Sequence, residues 1–182
     1  MYFTQDSEDA DLVARSLRGE SAAFEALVTR YQRVLFSVAH RMLGGYDDAG
    51  DATQAAFLNA YRRLDTFDPR FRFFSWLYRI LLNECLNVRR DRRPHEAVRP
   101  DMQIGASPLE ALEAAERRRQ VQQALLALPH DYRVVLVLRH FGELGYDDIA
   151  ATLGIPAKTV KSRLYTARQR LIELLLHEKT RT

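Results

Sequence analysis

Two segments of the chain combine residue types that could hold a nucleic acid. The first lies between Tyr146 and Leu176, where a short apolar segment, a glycine and a proline precede a basic segment. Gly154 permits the left-handed backbone that a tight turn needs, and Pro156 fits the first turn of a following helix. This order is typical of a helix-turn-helix, whose second helix places its N-terminal side chains against base edges in the major groove.

The second helix of this pair is predicted to have one apolar and one polar face. Its apolar arc, at about 100° per residue, consists of Val160, Leu164, Ala167 and Leu171. The other faces carry the side chains available to DNA. Those assigned to base edges are Lys158, Ser162 and Ala157, and those assigned to phosphates are Lys161, Arg163 and Arg168. A solvated basic face on an ordinary helical hairpin would give the same pattern.

The second segment is rich in aromatic residues and arginine. Its aromatic residues are Phe67, Phe71, Phe73, Phe74, Trp76 and Tyr78, and its arginines are Arg70, Arg72 and Arg79. A helix that buries Phe74 and Tyr78 turns Phe71, Phe73 and Trp76 toward other faces. An exposed aromatic ring beside arginine can stack an unpaired base and hold its phosphate. Aromatic residues at helical spacing are also common in protein cores.

No residue set in the chain matches a catalytic or metal-binding pattern. The acidic run that contains Asp47, Asp48 and Asp51 lacks the spacing of a calcium loop. The five histidines have no metal-ligand spacing, and neither a phosphate loop nor a nucleophile elbow occurs. We therefore expect neither an enzyme nor a cofactor. Asp51 and Gln54 share a helix face that could engage a basic or amide-rich surface, or could simply be solvated.

Composition places the chain among globular proteins of the reducing cytoplasm. It has 182 residues, 47% of them hydrophobic and 28% charged, and Cys85 is its one cysteine. The start of the sequence is acidic, which is unlike a signal peptide, and no apolar run is long enough to cross a membrane. Net charge is only +3, but residues 70–93 and 154–182 each hold seven basic residues against two acids, a net +5. Two basic segments suggest a polyanion bound at two places.

Apolar spacing predicts an all-α protein. One long helix carries apolar residues from Phe24 to Met42 and should end near Gly44. A second helix is expected over residues 48–64 and a third over residues 73–90. The inward side chains expected for the third helix are Phe74, Leu77, Tyr78, Leu81, Leu82, Cys85 and Leu86.

A segment rich in proline divides the sequence into two small domains. Residues 92–108 contain three prolines, one glycine and few large apolar residues, which is typical of a flexible linker. We therefore predict domains over residues 10–91 and 109–178. A linker of this length spans up to about 55 Å when extended, so the two domains could reach separate DNA sites.

Taken together, the two domains resemble an extracytoplasmic-function (ECF, group IV) sigma factor of bacterial RNA polymerase, over residues 12–175. The stretch from Asp51 to Arg90 resembles sigma region 2, and the stretch from Ala124 to Leu171 resembles region 4. The resemblance implies a factor that binds core RNA polymerase, recognises the −35 and −10 promoter elements and assists melting. It also implies control by a separate anti-sigma factor.

The resemblance assigns roles to individual residues. Those matched to the helix that docks on core polymerase are Asp51, Gln54 and Phe57. Those matched to −10 recognition and melting are Phe67, Arg70, Arg72, Phe73, Trp76, Arg79 and Asn83, with the loop of residues 65–72 capturing a flipped base. Those matched to the −35 helix are Lys158, Thr159, Lys161, Ser162 and Arg163.

Two other functions compete with this interpretation. A free-standing helix-turn-helix regulator would need no segment of aromatic residues and arginines. A helical adaptor that binds only proteins would tolerate the loss of Lys158 and Ser162.

Overall fold

The structure is a computed structural model that describes the backbone of residues 2–91 and 108–179, with side chains for residues 7–90 and 112–177. Regular structure in these residues is entirely helical, as the sequence predicts. The helices are α1 (Tyr2–Leu17), α2 (Ser21–Leu43), α3 (Tyr46–Arg62), α4 (Phe73–Asp91), α5 (Pro108–Ala127), α6 (His130–His140), α7 (Tyr146–Leu153) and α8 (Ala157–Lys179). A short 3-10 turn, Leu64–Thr66, follows α3. The predicted linker, apart from Pro108, lies outside the described residues.

Helices α1 to α4 form the first bundle. The apolar stripe of α2 is buried against α3 and α4, because side chains three and four residues apart point to one side of the helix. Helix α2 ends where the sequence predicts: Gly44 adopts φ of 84°, and its N–H donates to the carbonyl oxygen of His40 at 2.8 Å. This is the left-handed ending that glycine adopts without a steric penalty.

The acidic start of the chain is anchored to this bundle by a buried carboxylate. Asp9 is almost fully buried; it accepts hydrogen bonds from the hydroxyl of Tyr31 and from the guanidinium of Arg30, the latter at 2.6 Å. Glu8 also binds Arg30, at 2.9 Å. Burial, followed by the bond to Asp9, raises the pKa of the Tyr31 hydroxyl, which therefore stays protonated as a donor.

Helix α4 buries most of the stripe expected for it; the differences lie at its ends, where Phe74, expected to point inward, is only half-buried. Leu77, Tyr78, Leu81, Leu82 and Cys85 are buried. Leu86, expected to point inward, is 44% exposed. Phe73, expected to turn away from the core, is only 3% exposed. Burial raises the pKa of the Cys85 thiol to about 12, so this cysteine is unreactive at neutral pH.

Helices α5 to α8 form the second bundle, and a buried arginine joins it to the first. The guanidinium of Arg133 in α6 donates to the carbonyl oxygens of Leu126, Leu128 (2.9 Å) and Met42 (3.0 Å). Met42 belongs to the last turn of α2 and Leu126 to the last turn of α5. The arginine therefore donates hydrogen bonds to carbonyl oxygens that the two helix ends leave without intrahelical partners.

The two halves of the chain pack directly against each other. Helix α2 contacts α5 and α6, and α4 contacts α7. Arg41 of α2 donates to the side-chain oxygen of Gln122 of α5 at 2.8 Å. One continuous group of buried apolar residues runs through both halves. The two domains predicted from the sequence are thus in contact with each other in this structure.

A histidine at this boundary makes stability depend on pH. His130 lies beside Arg89 of α4, with 3.2 Å between Nδ1 and the guanidinium nitrogen. Burial, followed by the charges of Arg89 and Arg133, lowers the pKa of His130 below its ordinary 6.5. As pH falls below about 6.5, the unfolded chain binds a proton here before the folded chain does, so the free energy of unfolding should decrease.

We expect His130→Gln to reduce this loss of stability. Urea denaturation of the wild type and the variant at a series of pH values from 7.5 to about 5 measures it. The pKa of His140 is also lowered by burial, so part of the slope should remain in the variant. An unchanged slope would show that His130 is not the group responsible.

Candidate nucleic-acid interface

The turn before α8 has the geometry that the sequence predicts for a helix-turn-helix. Gly154 adopts φ of 65°, and its N–H bonds to the carbonyl oxygen of Ala150. Pro156 accepts from the N–H of Val160 at 3.1 Å, and α8 begins at the next residue. Val160 and Leu164 are buried against the rest of the second bundle. The polar face of α8 therefore has a fixed orientation.

The first turns of α8 present most of the predicted −35 residues to solvent. Lys158, Lys161 and Ser162 are exposed, and Thr159 and Arg163 are half-buried. Arg163 forms an ion pair with Asp131 of α6 at 2.7 Å. Arg163 is therefore partly committed within the protein, whereas Lys158 and Ser162 have the exposed position that a contact with base edges requires.

Around the start of α4, the aromatic residues form one connected cluster. The rings of Phe67, Phe73 and Trp76 lie within 5.7 Å of one another, centroid to centroid, in edge and tilted arrangements. Trp76 and Phe67 are half-buried, and Phe73 is the buried base of the cluster. Phe73, which the resemblance assigns to −10 recognition and melting, is buried against Tyr31 and contacts the half-buried rings of Phe67 and Trp76.

A small cavity opens beside this cluster. Its volume is about 300 Å³, and the loop of residues 67–73 lines it together with Ala10 of α1. Phe71 is 60% exposed at its rim. Arg70, also on the rim, is held by Asp68 through bonds of 2.6 to 3.0 Å. An aromatic cavity with arginine at its rim is suited to a single unstacked base and its phosphate.

The side chains of two other residues assigned to the −10 element bind residues of α7. The guanidinium of Arg72 forms an ion pair with Asp148 at 3.1 Å. The Nε of Arg79 donates to the carbonyl oxygen of Thr152 at 3.1 Å, and its Nη2 donates to that of Ala151. Asn83, farther along α4, is exposed. The −10 residues thus share one end and one face of α4, and part of that face is covered by the second bundle.

Two of the residues assigned to polymerase docking, Gln54 and Phe57, line an apolar groove between α2 and α3. Asp51 and Gln54 are exposed, whereas Phe57 is 8% exposed and forms part of the groove wall. The groove has a volume of about 870 Å³. Its apolar lining residues are Phe24, Val28, Phe36, Phe57, Leu58 and Tyr61.

Sequence reasoning did not single out Leu58 and Tyr61, although both contribute to this groove. Leu58 is 51% exposed and Tyr61 is 56% exposed. They lie four and seven residues after Gln54, which puts all three on one side of α3. This spacing could have indicated that Leu58 and Tyr61 share a face of α3 with Gln54. What it does not reveal is that a groove remains between α2 and this side of α3.

Among the side chains that the structure describes, no group of three or more His, Cys, Asp or Glu is placed to hold a metal ion. None of the described helices has the length and apolar character needed to cross a membrane.

Comparison with known proteins identifies both halves of the chain. Residues 27–95 match the family described as Sigma-70 region 2, and residues 118–171 match Sigma-70, region 4. The chain is 36% identical to the RNA polymerase sigma-H factor of Pseudomonas aeruginosa, covering 92% of this chain and 94% of that protein. It is 34% identical to the ECF RNA polymerase sigma factor SigW of Bacillus subtilis, covering 85% and 89%.

Solved structures give the same result for the fold. CnrH in complex with the cytosolic domain of CnrY aligns with a TM-score of 0.73 and 31% identity, over 92% of this chain and 97% of that one. The sigma factor RpoE of Bartonella quintana, in complex with the anti-sigma factor NepR, aligns with a TM-score of 0.68 and 27% identity, over 84% and 96%.

Proposed function

Because this chain belongs to the ECF family of RNA polymerase sigma factors, we propose that its three surfaces divide the work of promoter-specific initiation. The groove between α2 and α3 docks on core RNA polymerase. The segment from Phe67 to Asn83 recognises and melts the −10 element, and the first turns of α8 read the −35 element. The domains expected over residues 10–91 and 109–178 carry these tasks, on either side of the linker over residues 92–108. The protein acts in the cytoplasm, where the polymerase is, and contributes no catalytic step of its own.

The observation that carries this proposal is the presence, on one chain, of two different DNA-binding chemistries. Exposed lysines at the start of a helix suit the major groove of duplex DNA. Aromatic rings around a small cavity, with arginine beside them, suit an unpaired base. A factor that holds duplex DNA upstream and opens it downstream needs both, whereas a free-standing helix-turn-helix regulator needs only the first.

A separate anti-sigma factor controls the chain in this proposal. Its support is the pair of aligned structures: one holds CnrH with the cytosolic domain of CnrY, and the other holds RpoE with the anti-sigma factor NepR. These two structures align with 92% and 84% of this chain, and so with both of its halves.

In vitro transcription tests the proposed function. Sigma-free bacterial core polymerase is incubated with fragments of the host genome, with and without the protein. New transcripts that start at defined sites only when the protein is present are the expected result. DNA binding by the protein alone, without new starts, would favour a free-standing regulator. Binding to neither DNA nor polymerase would favour the protein-binding adaptor.

Substitution of two lysines tests the assignment of α8. Lys158→Ala should weaken recognition of particular base pairs, by about 1 to 3 kcal/mol for a good base contact. Lys161→Ala should weaken binding to all promoter sequences evenly and reduce the salt slope by about one unit. Each variant serves as the charge-matched control for the other. Binding of the holoenzyme to a promoter and to its −35 point variants, at several salt concentrations, distinguishes the two roles.

If Lys158→Ala weakens binding evenly and Lys161→Ala weakens recognition of particular base pairs, the roles of the two lysines are reversed. If neither variant affects promoter binding, α8 does not contact the −35 element. Lys161 lies 5.7 Å from the ring centroid of Tyr146, so its loss also removes a cation-π contact. Thermal melting of the Lys161 variant checks that this contact does not decide the stability of the turn.

A further inference from the structure

The cavity beside the aromatic cluster has one lining residue that does not belong to the loop. Six of its lining residues lie within residues 67–73, and the other is Ala10 of α1. Ala10 is exposed and therefore lies outside the core. Helix α1, which carries none of the site residues assigned from the sequence, thus contributes one wall of the cavity proposed to hold a flipped base.

One residue of α2, Tyr31, contacts both the loop and the α1 side of this cavity. Its hydroxyl donates to the buried carboxylate of Asp9, the residue before Ala10. Its ring packs against that of Phe73, with 6.0 Å between the centroids. Arg30 adds a second bond to Asp9, at 2.6 Å. A buried carboxylate is costly without such partners, so these bonds fix the position of α1 at the cavity.

The charges around the cavity differ between its two sides. Residues 7–14 of α1 contain three acids and no basic residue, and Arg30 offsets only part of that charge. The α1 side therefore does not attract a phosphate. On the loop side, Arg70 offers a cation to one. A base carries no net charge, and the methyl group of Ala10 occupies little space. The base of a flipped nucleotide thus suits the α1 side, and its phosphate suits the loop side.

From this arrangement we propose that Ala10 is a specificity-determining residue of −10 recognition, because its small side chain leaves the room in which the flipped base is held. This inference rests on the proposed function, in which the loop of residues 65–72 captures that base. The cavity has a volume of only about 300 Å³, so a longer side chain at position 10 would fill part of it. Tyr31 is a positioning residue, because it holds α1 and Phe73 in a fixed relation.

Transcription from synthetic promoters tests this role. Each position of the −10 element, in the non-template strand of a promoter that the wild-type protein uses, carries in turn each of the four bases or an abasic nucleotide. At one position we expect Ala10→Leu to lower transcription from the preferred base about tenfold, to near the level of the abasic template, which corresponds to the loss of one stacked base. The other positions should keep their preferences. Because every template is used with every variant, effects of the abasic nucleotide on the duplex cancel.

Ala14→Leu is the matched control for this substitution. Ala14 lies one turn further along α1, is also exposed and does not line the cavity. Leucine forms helices nearly as well as alanine, so both variants should melt at the temperature of the wild type. We expect Ala14→Leu to keep the base preference of the wild type at every position.

Tyr31→Phe tests the positioning role. It keeps the ring that packs against Phe73 and removes the hydroxyl that binds Asp9. We expect a reduced base preference at the same position as in Ala10→Leu, because α1 is held less firmly. A purely structural role would instead lower transcription from all templates by the same factor.

The outcomes separate failure of this inference from failure of the proposed function. If the wild type directs transcription but no abasic nucleotide in the −10 element lowers it, base capture is wrong, and the role of Ala10 with it. If the wild type shows such a position and Ala10→Leu keeps its base preference, the role of Ala10 is overturned and base capture stands. Equal effects of Ala10→Leu and Ala14→Leu, or an equal loss on all templates, would also overturn it.

Discussion

Replacing Leu58 with glutamate is expected to weaken binding of the protein to core RNA polymerase roughly 30-fold or more, since the loss of a central interface contact costs about 2 kcal/mol or more. Leu58 lies half-exposed on the groove between α2 and α3, between Gln54 and Tyr61. A carboxylate at this position would have to give up its hydration when a partner covers the groove, and the apolar contact would be lost as well.

Leu17→Glu provides a closely matched control. Leu17 ends α1, is 53% exposed and does not line the groove, so the same chemical change meets a similar degree of exposure. Competition between unlabelled variants and the labelled wild type for core polymerase gives the affinities. Equal thermal midpoints of the two variants would show that any difference concerns docking. Equal affinities would remove the groove from the polymerase interface.

Replacing Arg133 with methionine is expected to lower the free energy of unfolding by about 2 to 4 kcal/mol, the cost of leaving buried carbonyls without their charged donor. Methionine has a similar length and fills much of the same space, but it donates no hydrogen bond. The carbonyl oxygens of Met42, Leu126 and Leu128 would all lose this partner. Burial of Arg133, followed by the charge of Arg89, lowers its pKa to about 10, so the wild-type side chain remains charged at neutral pH.

Arg117→Met is the control for this prediction. Arg117 is 66% exposed on α5 and pairs only at the surface with Glu113, so its loss should change stability by no more than about 0.5 kcal/mol. Urea denaturation of both variants measures the difference. A small effect at Arg133 would mean that the desolvation of its charge offsets the value of its hydrogen bonds. Its Nε, which is buried without a hydrogen-bond partner, contributes to that cost.

Local chemistry explains what the sequence predicts correctly about this fold. The end of α2 at Gly44 and the turn at Gly154 each depend on a glycine in a left-handed conformation, and both positions are visible in the sequence. The apolar stripes of α2 and α8 follow from spacing alone. These features need no knowledge of what packs against the helix. The exposure of Lys158 and Ser162 follows from the same spacing.

The contacts between the two bundles arise from tertiary packing, which the sequence does not display. Nothing near Arg79 in the sequence indicates that its partners are carbonyl oxygens more than seventy residues away. Arginine is rarely buried, so the sequence does not predict that Arg133 is a core residue. Phe73 is buried among the rings of Tyr31, Phe67 and Trp76, and helical periodicity cannot predict its contact with Tyr31 of α2.

The burial of Phe73 has an evolutionary consequence for promoter choice. The cavity proposed to hold a flipped base is lined by Phe73, which belongs to the core, and has exposed Phe71 at its rim. Loss of a buried phenylalanine costs about 3 to 5 kcal/mol, so selection for folding restricts Phe73. Substitutions at exposed Phe71 change stability by only about 0.5 kcal/mol. If the cavity has the proposed role, substitutions at its rim can alter −10 preference at little cost in stability, whereas folding restricts its wall.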